Sequence, residues 1–337
     1  MKRPILLAGF FAIFAWYAQY GYQPESFRGY IELAQGDYYG YPMPGIIGLI
    51  KIGLALGSID WFLLAVSTFA YAGTIFLFFK VFDLEPNLFY VPLFIPVAAI
   101  MSVKSNHALT PFIFMLSAYL FKREKIWASA VTASLAYWFR SELVLMPVIY
   151  GLVSRRWQYL AVPLVFIGIW FSITGQAGTT NNMAVFYIAQ VNGDDGDAFK
   201  LADEYGTAYA WRPEAQSAFF WRSMSVIRSD KYMFVERSLY RMARVFLSRL
   251  FVAKEYFGGW ISAAVAATVL ILLWFPAFTR VRLSPVGVYV MTFALCQLPI
   301  AAFSGNTTIT NATYLFLLGN AVKFYDNAII EGHISQD

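Results

Sequence analysis

Long apolar runs, separated by short polar stretches, recur along almost the whole chain. About 20 apolar residues cross a bilayer as a helix, and shorter runs suffice inside a bundle. We place ten spans, several of them short, at 4–20, 60–80, 88–102, 108–121, 126–139, 141–153, 157–174, 258–278, 285–303 and 311–325. The opening Met1-Lys2-Arg3 resembles a signal peptide, but no small-residue cleavage site follows, so we interpret it as an uncleaved first helix. The pattern predicts an all-α polytopic membrane protein with about ten transmembrane helices.

Composition agrees with this class of protein. Hydrophobic residues make up 59% of the chain and charged residues 13%, against about 45–50% and about 25% in soluble domains. The single cysteine excludes an internal disulfide and a cysteine-based metal cage. Two histidines are too few for a histidine-ligated zinc site. No cofactor is therefore required, although a divalent cation would not conflict with the sequence, and the small net charge of +5 argues against nucleic acid as a partner.

The apolar stretch 45–57 decides the topology. It is short, and Lys51 interrupts it. If it does not cross the membrane, most lysines and arginines at the span ends face the cytoplasm, as the positive-inside rule requires. If it crossed, nearly all of them would face outward. We therefore interpret 45–57 as an interfacial helix and expect both termini to be cytoplasmic.

Three regions follow from this topology. Residues 1–174 form an N-terminal transmembrane module whose first outward loop is 21–57. Residues 175–257 form an outward, mainly helical cap without disulfides, and residues 258–337 form the last transmembrane helices with a short cytoplasmic tail. In the cap, Arg237, Arg241 and Arg244 recur at helical spacing, which is typical of a basic amphipathic helix on an anionic leaflet.

The first outward loop, "PESFRGYIELAQGDYYGYPMPG", carries the carboxylates Glu25, Glu32 and Asp37. Acidic groups at a membrane surface are often simply solvated, and for Glu32 and Asp37 this interpretation is as good as a functional one. Glu25 differs because it lies a few residues past the first span and is followed by interleaved aromatic residues. A carboxylate that is partly desolvated there could act as a general base.

Residues 24–79 resemble the start of the GT-C membrane glycosyltransferases, which use polyprenyl-phosphate sugars and include protein mannosyltransferases and aminoarabinose transferases. The shared pattern is a first span, an outward loop that opens with an acid, a "GDY" turn, a Tyr/Pro segment, an interfacial helix and a second span. The segment "KIWASAVTASLAYWFRSELVLMPVIYGLVSRR" (125–156) resembles the family's small-residue helix followed by Arg-x-Glu. The resemblance covers about residues 1–175 in order.

The resemblance implies roles for two residues. Glu25 corresponds to the family's first-loop carboxylate, which activates the acceptor nucleophile. Arg140, in "FRSE", corresponds to an arginine that stabilises the leaving lipid phosphate, and guanidinium groups bind phosphate bidentately. The alternative for Arg140 is an interfacial pair with Glu142 that takes no part in catalysis.

Further candidates surround these two. Lys104 and His107 could contact the donor phosphate, although a lone interfacial histidine is more often structural. Candidates for sugar or acceptor binding are Arg28, Glu32, Asp37, Tyr38 and Tyr39, and the tyrosines are equally suited to anchoring the loop at the interface. The loop with Asn106 and His107 lacks the second acid of many family members, and the chain lacks their large soluble domain, which leaves the subfamily open.

The sequence thus predicts an integral-membrane inverting glycosyltransferase of the bacterial inner membrane with a periplasmic active site. Its partners would be a polyprenyl-phosphate-linked sugar, a glycan, lipid or protein acceptor, and membrane lipids. A lipid-linked glycan flippase or transporter and an O-antigen-type polymerase stay open as alternatives. Against transport, charged residues are nearly absent from the predicted spans.

Overall fold

The computed structural model describes residues 2–19, 25–36, 44–102, 108–174, 213–248 and 310–334, and eight residues between 272 and 296 (272, 273, 275, 276, 287, 289, 292 and 296). The described part of the chain is mostly helical and contains no strand. The predicted all-α fold is confirmed for these residues.

Many of the helices coincide with apolar runs of the sequence. Their bounds are α1 (Lys2–Gln19), α2 (Glu25–Gln35), α3 (Pro44–Ala55), α4 (Ile59–Phe82), α5 (Tyr90–Leu93), α6 (Ile95–Met101), α7 (Leu109–Lys122), α8 (Ile126–Leu135), α9 (Leu145–Ser154), α10 (Gln158–Thr174), α11 (Pro213–Ser229), α12 (Lys231–Ser248) and α13 (Thr310–Ile334). Two short 3₁₀ segments, Ala136–Trp138 and Ser141–Val144, join α8 to α9.

Helices α1 and α4 run antiparallel through the core. The ring of Phe10 lies 6.3 Å from that of Phe79, and the ring of Phe14 stacks 4.8 Å from Tyr71. The Tyr71 hydroxyl donates to the carbonyl of Phe10 at 3.3 Å. The start of α1 therefore lies beside the end of α4, so the N-terminal residues and Lys80 are at the same end of the bundle.

Lys122 ties the ends of α4 and α7 together at this end. Its Nζ donates to the carbonyls of Lys80 at 3.0 Å and Val81 at 3.1 Å, and it pairs with the carboxylate of Asp83 at 2.5 Å. The last carbonyls of a helix have no partner within it, so a cation here stabilises the helix end. We call this part of the bundle the basic end; its cations are Lys80, Lys122, Arg123, Lys125, Arg155, Arg156 and Lys323.

The other end of the bundle carries the start of α4, the helices α2 and α3, and residues 136–144. We call it the Arg140 end. Helix α8 runs from the basic end to the Arg140 end, parallel to α10, because Trp127 contacts Trp157 near their starts and Trp138 contacts Phe166 further along. These directions agree with the predicted alternation of spans.

A buried polar cluster joins three of the helices to Tyr289. Ser117 Oγ donates to the carbonyl of Ser129 at 2.8 Å, and Ser129 Oγ donates back to the carbonyl of Ser117 at 2.6 Å. The Tyr159 hydroxyl donates to Ser129 Oγ, and the Tyr289 hydroxyl lies 2.5 Å from Ser117 Oγ. Each buried hydroxyl has a partner, which such groups need inside a bundle.

Helix length does not confirm ten spans. Of the described helices, only α4, with 24 residues, is long and apolar enough to cross a bilayer by itself. The predicted span 88–102 is divided into α5 and α6, where Pro92 and Pro96 lack the N–H groups that a continuous helix would use. The spans 126–139 and 141–153 are shortened by the 3₁₀ segments between α8 and α9.

The remaining fold predictions have mixed outcomes. The stretch 45–57 is a helix, α3, as predicted, and the basic repeat of the cap lies on the helix α12. The first part of the cap, 175–212, lies outside the described residues. Of the spans 258–278 and 285–303, only the eight residues named above are described, and all of them are helical.

Candidate functional site

The first loop folds into two packed helices at the Arg140 end. Ala34 of α2 is buried against Ile46, Ile47 and Ile50 of α3, and the same cluster includes Leu63 of α4. Helix α2 is amphipathic because its apolar residues recur at helical spacing on the side that contacts α3. Helices α2 and α3 are thereby fixed on the start of α4.

Glu25 is the first residue of α2, and Arg28 lies one turn later. The side chains of both lie outside the described part of the structure. Glu32 follows Glu25 by seven residues, so the two positions share a helix face, and the Glu32 side chain is exposed. The face of α2 that carries position 25 is therefore not the face that packs on α3.

The start of α3 lies directly against the segment that precedes Arg140. A methyl group built on Gly45 would lie 2.7 Å from the carbonyl oxygen of Trp138 and 2.9 Å from the ring of Phe139. Only a residue without a side chain permits this approach. The first loop and the α8–α9 connection, which are about 90 residues apart in sequence, therefore meet at Gly45.

Arg140 occupies the turn between the two 3₁₀ segments. Its N–H donates to the carbonyl of Ala136 at 3.0 Å, and its carbonyl accepts from the N–H of Leu143 at 3.1 Å. The residue is half-buried and is followed by the buried Ser141. The backbone of Arg140 is thus held on both sides, which restricts where its guanidinium can reach.

Two groups at this end, a helix N-terminus and an arginine, are of the kind that binds an anion. The first N–H groups of a helix lack partners within the helix, and the helix dipole places partial positive charge there. The first turn of α3, at Gly45, lies beside residues 138–139, and Arg140 adds a full positive charge next to them. A helix N-terminus together with a guanidinium is an arrangement that binds phosphate.

Other predicted site residues fall outside this description. Asp37, Tyr38, Tyr39, Lys104 and His107 lie outside the described residues. Lys104 and His107 belong to the connection between Ser102 and Ala108, both of which are buried. The side chain of Glu142 is also outside the description, so the Arg140–Glu142 pair is untested.

No group of three or more histidine, cysteine, aspartate or glutamate side chains lies together in the part of the chain that the structure describes. In the same part, the indole N–H of Trp138 is buried and has no hydrogen-bond acceptor. Sequence reasoning missed both Gly45 and Trp138. Gly45 follows the Tyr/Pro segment of the first loop, but its contact with Trp138 depends on the tertiary fold.

The close approach at Gly45 can be tested by mutation. We expect Gly45→Ala to destabilise the fold by about 1–3 kcal/mol, because the new methyl group would meet a backbone carbonyl that cannot rotate away. Gly48→Ala on the same helix is the matched control, since nothing lies within 4 Å of the added methyl group. That control should be neutral or stabilising, because alanine favours a helix over glycine. Thermal unfolding of the two variants in detergent would measure the difference, and equal behaviour would contradict the contact.

The Arg140 end therefore combines a short acid-bearing helix, a helix N-terminus and a half-buried arginine. The start of α3 touches the segment that precedes the arginine through Gly45. In comparisons with known proteins, no family model, no curated protein and no solved structure matches this chain.

Proposed function

We propose that the protein is an integral-membrane inverting glycosyltransferase that moves a sugar from a polyprenyl-phosphate donor to an acceptor hydroxyl on the periplasmic face. The observation that carries the proposal is the contact between the start of α3 and the segment before Arg140. It joins the acid-bearing first loop to the arginine that sequence analysis assigns to the donor phosphate.

The exposed surface of the bundle supports a membrane location. Large apolar side chains point away from the core on α4 and α10, including Phe69 and Phe76 on the former and Leu164, Phe171 and Ile173 on the latter. Soluble monomers rarely expose contiguous apolar surface of this kind. In a bilayer the same residues would face lipid.

The separation of the two ends supports the orientation. Lys80, Lys122 and Lys125 lie at the basic end together with the helix connections of that end. Lysine and arginine accumulate on the cytoplasmic side of membrane proteins. The basic end is then cytoplasmic, and the Arg140 end faces the periplasm, as a periplasmic active site requires.

The proposed reaction uses one base and one cation. The Glu25 carboxylate accepts the proton of the acceptor hydroxyl while the hydroxyl oxygen attacks the anomeric carbon. The bond between that carbon and the phosphate oxygen breaks, with inversion, and polyprenyl phosphate leaves with the bond electrons. Arg140 and the first N–H groups of α3 stabilise the charge that develops on the phosphate, and such electrostatic stabilisation usually contributes most to catalysis.

Because the proposed donor is a polyprenyl-phosphate sugar, the reaction requires no nucleotide sugar. The donor would enter laterally from the outer leaflet, and a glycan, lipid or protein would supply the acceptor hydroxyl. Arg222 and Arg228 of α11 are exposed and could approach the donor from the cap. No step needs a metal.

The decisive experiment uses the full-length protein in detergent or liposomes with a synthetic prenyl-phosphate sugar labelled in the sugar. We expect release of prenyl phosphate and transfer of the label to a hydroxyl acceptor from the bacterial envelope. Mass spectrometry of surface glycans from cells with and without the protein would then identify the acceptor.

The alternatives give different results in the same experiment. Movement of the intact donor across the liposome membrane without cleavage would favour a flippase. Activity only with diphosphate-linked oligosaccharides would favour a polymerase. Either result would contradict the proposed transfer from a monophosphate donor.

A further inference from the structure

At the basic end, the α7–α8 and α9–α10 connections lie side by side and are joined by a contact between two tryptophans. Trp127 lies in the first turn of α8, and Trp157 lies immediately before α10. Their rings meet edge to face, with centroids 4.9 Å apart and an interplanar angle of 86°. Two residues after each tryptophan, the Tyr159 hydroxyl donates to Ser129 Oγ, so the two helices stay paired.

Three cations lie next to this pair in the sequence. Lys125 lies two residues before Trp127, and Arg155 and Arg156 immediately precede Trp157; all three are exposed. Glu124 is the acidic residue of these two connections, so positive charge dominates between them. The nearby Asp83 is already paired with Lys122 and does not balance this charge.

The tryptophan pair also marks a boundary. Beyond it, the outer faces of α8 and α10 expose apolar residues, Val131 and Leu135 on α8 and Leu164 and Val165 on α10. Both tryptophans are themselves more than half exposed, at 52% and 58%. Tryptophan at the border between apolar and charged surface is typical of the membrane–water interface, where its ring sits at headgroup level.

Arg155 adds a conformational observation. It is the C-cap residue that follows α9, and its φ of +54° lies in the left-handed region that favours glycine. Its N–H donates to the carbonyl of Gly151, and so does the N–H of Arg156 at 3.0 Å. This closed turn holds two successive arginines beside the start of α10.

We propose that Lys125, Arg155 and Arg156, together with the Trp127–Trp157 pair, form a binding site for the headgroup phosphate of an anionic phospholipid. The acyl chains would lie along the exposed apolar faces of α8 and α10, and the tryptophan rings would sit at headgroup depth. The inference rests on the proposed membrane location of the bundle and not on glycosyl transfer. It therefore goes beyond the proposed reaction.

The test uses the full-length protein in detergent, titrated with phosphatidylglycerol that carries brominated chains, which quench tryptophan fluorescence. We expect Lys125→Gln/Arg156→Gln to weaken phosphatidylglycerol binding about 30-fold, because each cation near an anionic lipid surface contributes roughly a fivefold change. Arg222→Gln/Arg228→Gln is the matched control; it removes the same charge from exposed arginines of α11, which the proposed lipid site does not include, and should bind phosphatidylglycerol as the wild type does.

Two further variants and two control ligands distinguish lipid binding from a folding defect and from binding of a free anion. Lys125→Arg/Arg156→Lys keeps the charge and should restore binding, which excludes a simple folding defect in the glutamine variant. Trp127→Phe/Trp157→Phe should lower the quenching by the brominated lipid. Two control ligands are compared with phosphatidylglycerol. Brominated phosphatidylcholine tests whether a zwitterionic lipid binds equally well, and inorganic phosphate tests whether a free anion competes.

Several outcomes would overturn the proposal. Equal binding of phosphatidylcholine and phosphatidylglycerol would show that the cations do not select a headgroup. Displacement of phosphatidylglycerol by inorganic phosphate at comparable concentration would assign the site to a free anion. Unchanged binding in the glutamine variant would place the lipid elsewhere. None of these results depends on donor, acceptor or Glu25, so they would leave the proposed glycosyl transfer untouched.

Discussion

Replacing Glu25 with glutamine is expected to lower transfer from a prenyl-phosphate sugar by about 10²- to 10⁴-fold, the range typical of losing a general base. Glutamine has nearly the same shape as glutamate, but its amide cannot accept the proton of the attacking hydroxyl. Donor binding should survive, because the phosphate contacts are assigned to Arg140 and the start of α3. The measurement is the rate of prenyl phosphate release together with donor affinity.

A structural role for Glu25 must be separated from a catalytic one. Because it is the first residue of α2, its charge also interacts with the helix dipole, which contributes about 0.3–1 kcal/mol to helix stability. Thermal unfolding of Glu25→Gln would measure this contribution to stability. Glu85→Gln, which removes an exposed carboxylate from the connection between α4 and α5, should leave transfer unchanged. An unchanged transfer rate in Glu25→Gln would contradict the assignment of Glu25 as the general base.

Much of the fold could be predicted because apolar runs and helix-breaking residues act locally. The predicted spans 60–80, 108–121 and 157–174 correspond to α4, α7 and α10 within a few residues. The apolar stretch 45–57 likewise located α3, and the basic amphipathic repeat located α12. In these segments a long apolar run or a helical repeat coincides with one helix, so pattern and structure agree.

Segment lengths were harder to predict where local chemistry interrupts the helix. Pro92 and Pro96 divide the span 88–102, and the sharp reversal at Arg140 converts the last residues of α8 into a 3₁₀ turn. A hydropathy pattern does not reveal where proline lacks an N–H group or where an α-helix changes to a 3₁₀ turn. The number of membrane crossings therefore stays a prediction.

Only part of the candidate site could be predicted from the sequence. Charge and position indicated Glu25 and Arg140 separately, but nothing local indicates that the start of α3 touches the segment before Arg140. That contact depends on Gly45, whose lack of a side chain allows the carbonyl of Trp138 to approach. Nor does sequence predict that Trp127 and Trp157 meet, since this needs α8 and α10 to be parallel neighbours.

Arg140→Gln is the second change with a large expected effect, a loss of about 10²- to 10³-fold in transfer rate, comparable with removing one donor from an oxyanion site. The loss arises because the departing phosphate gains charge in the transition state, when a fixed guanidinium stabilises it most. Arg140→Lys should recover part of the rate, since lysine keeps the charge but cannot bind phosphate bidentately. Prenyl phosphate release measured at saturating donor would give both values.

The control for this change is Arg123→Gln, which removes an exposed arginine at the basic end, the opposite end of α8. It should keep full activity, which shows that loss of net charge alone is not responsible. An Arg140–Glu142 pair without a catalytic part makes a different prediction: Arg140→Gln would lower thermal stability and leave the rate per folded molecule unchanged. A rate that falls in Arg140→Gln, recovers partly in Arg140→Lys and stays constant in Arg123→Gln would instead assign the guanidinium to the leaving phosphate.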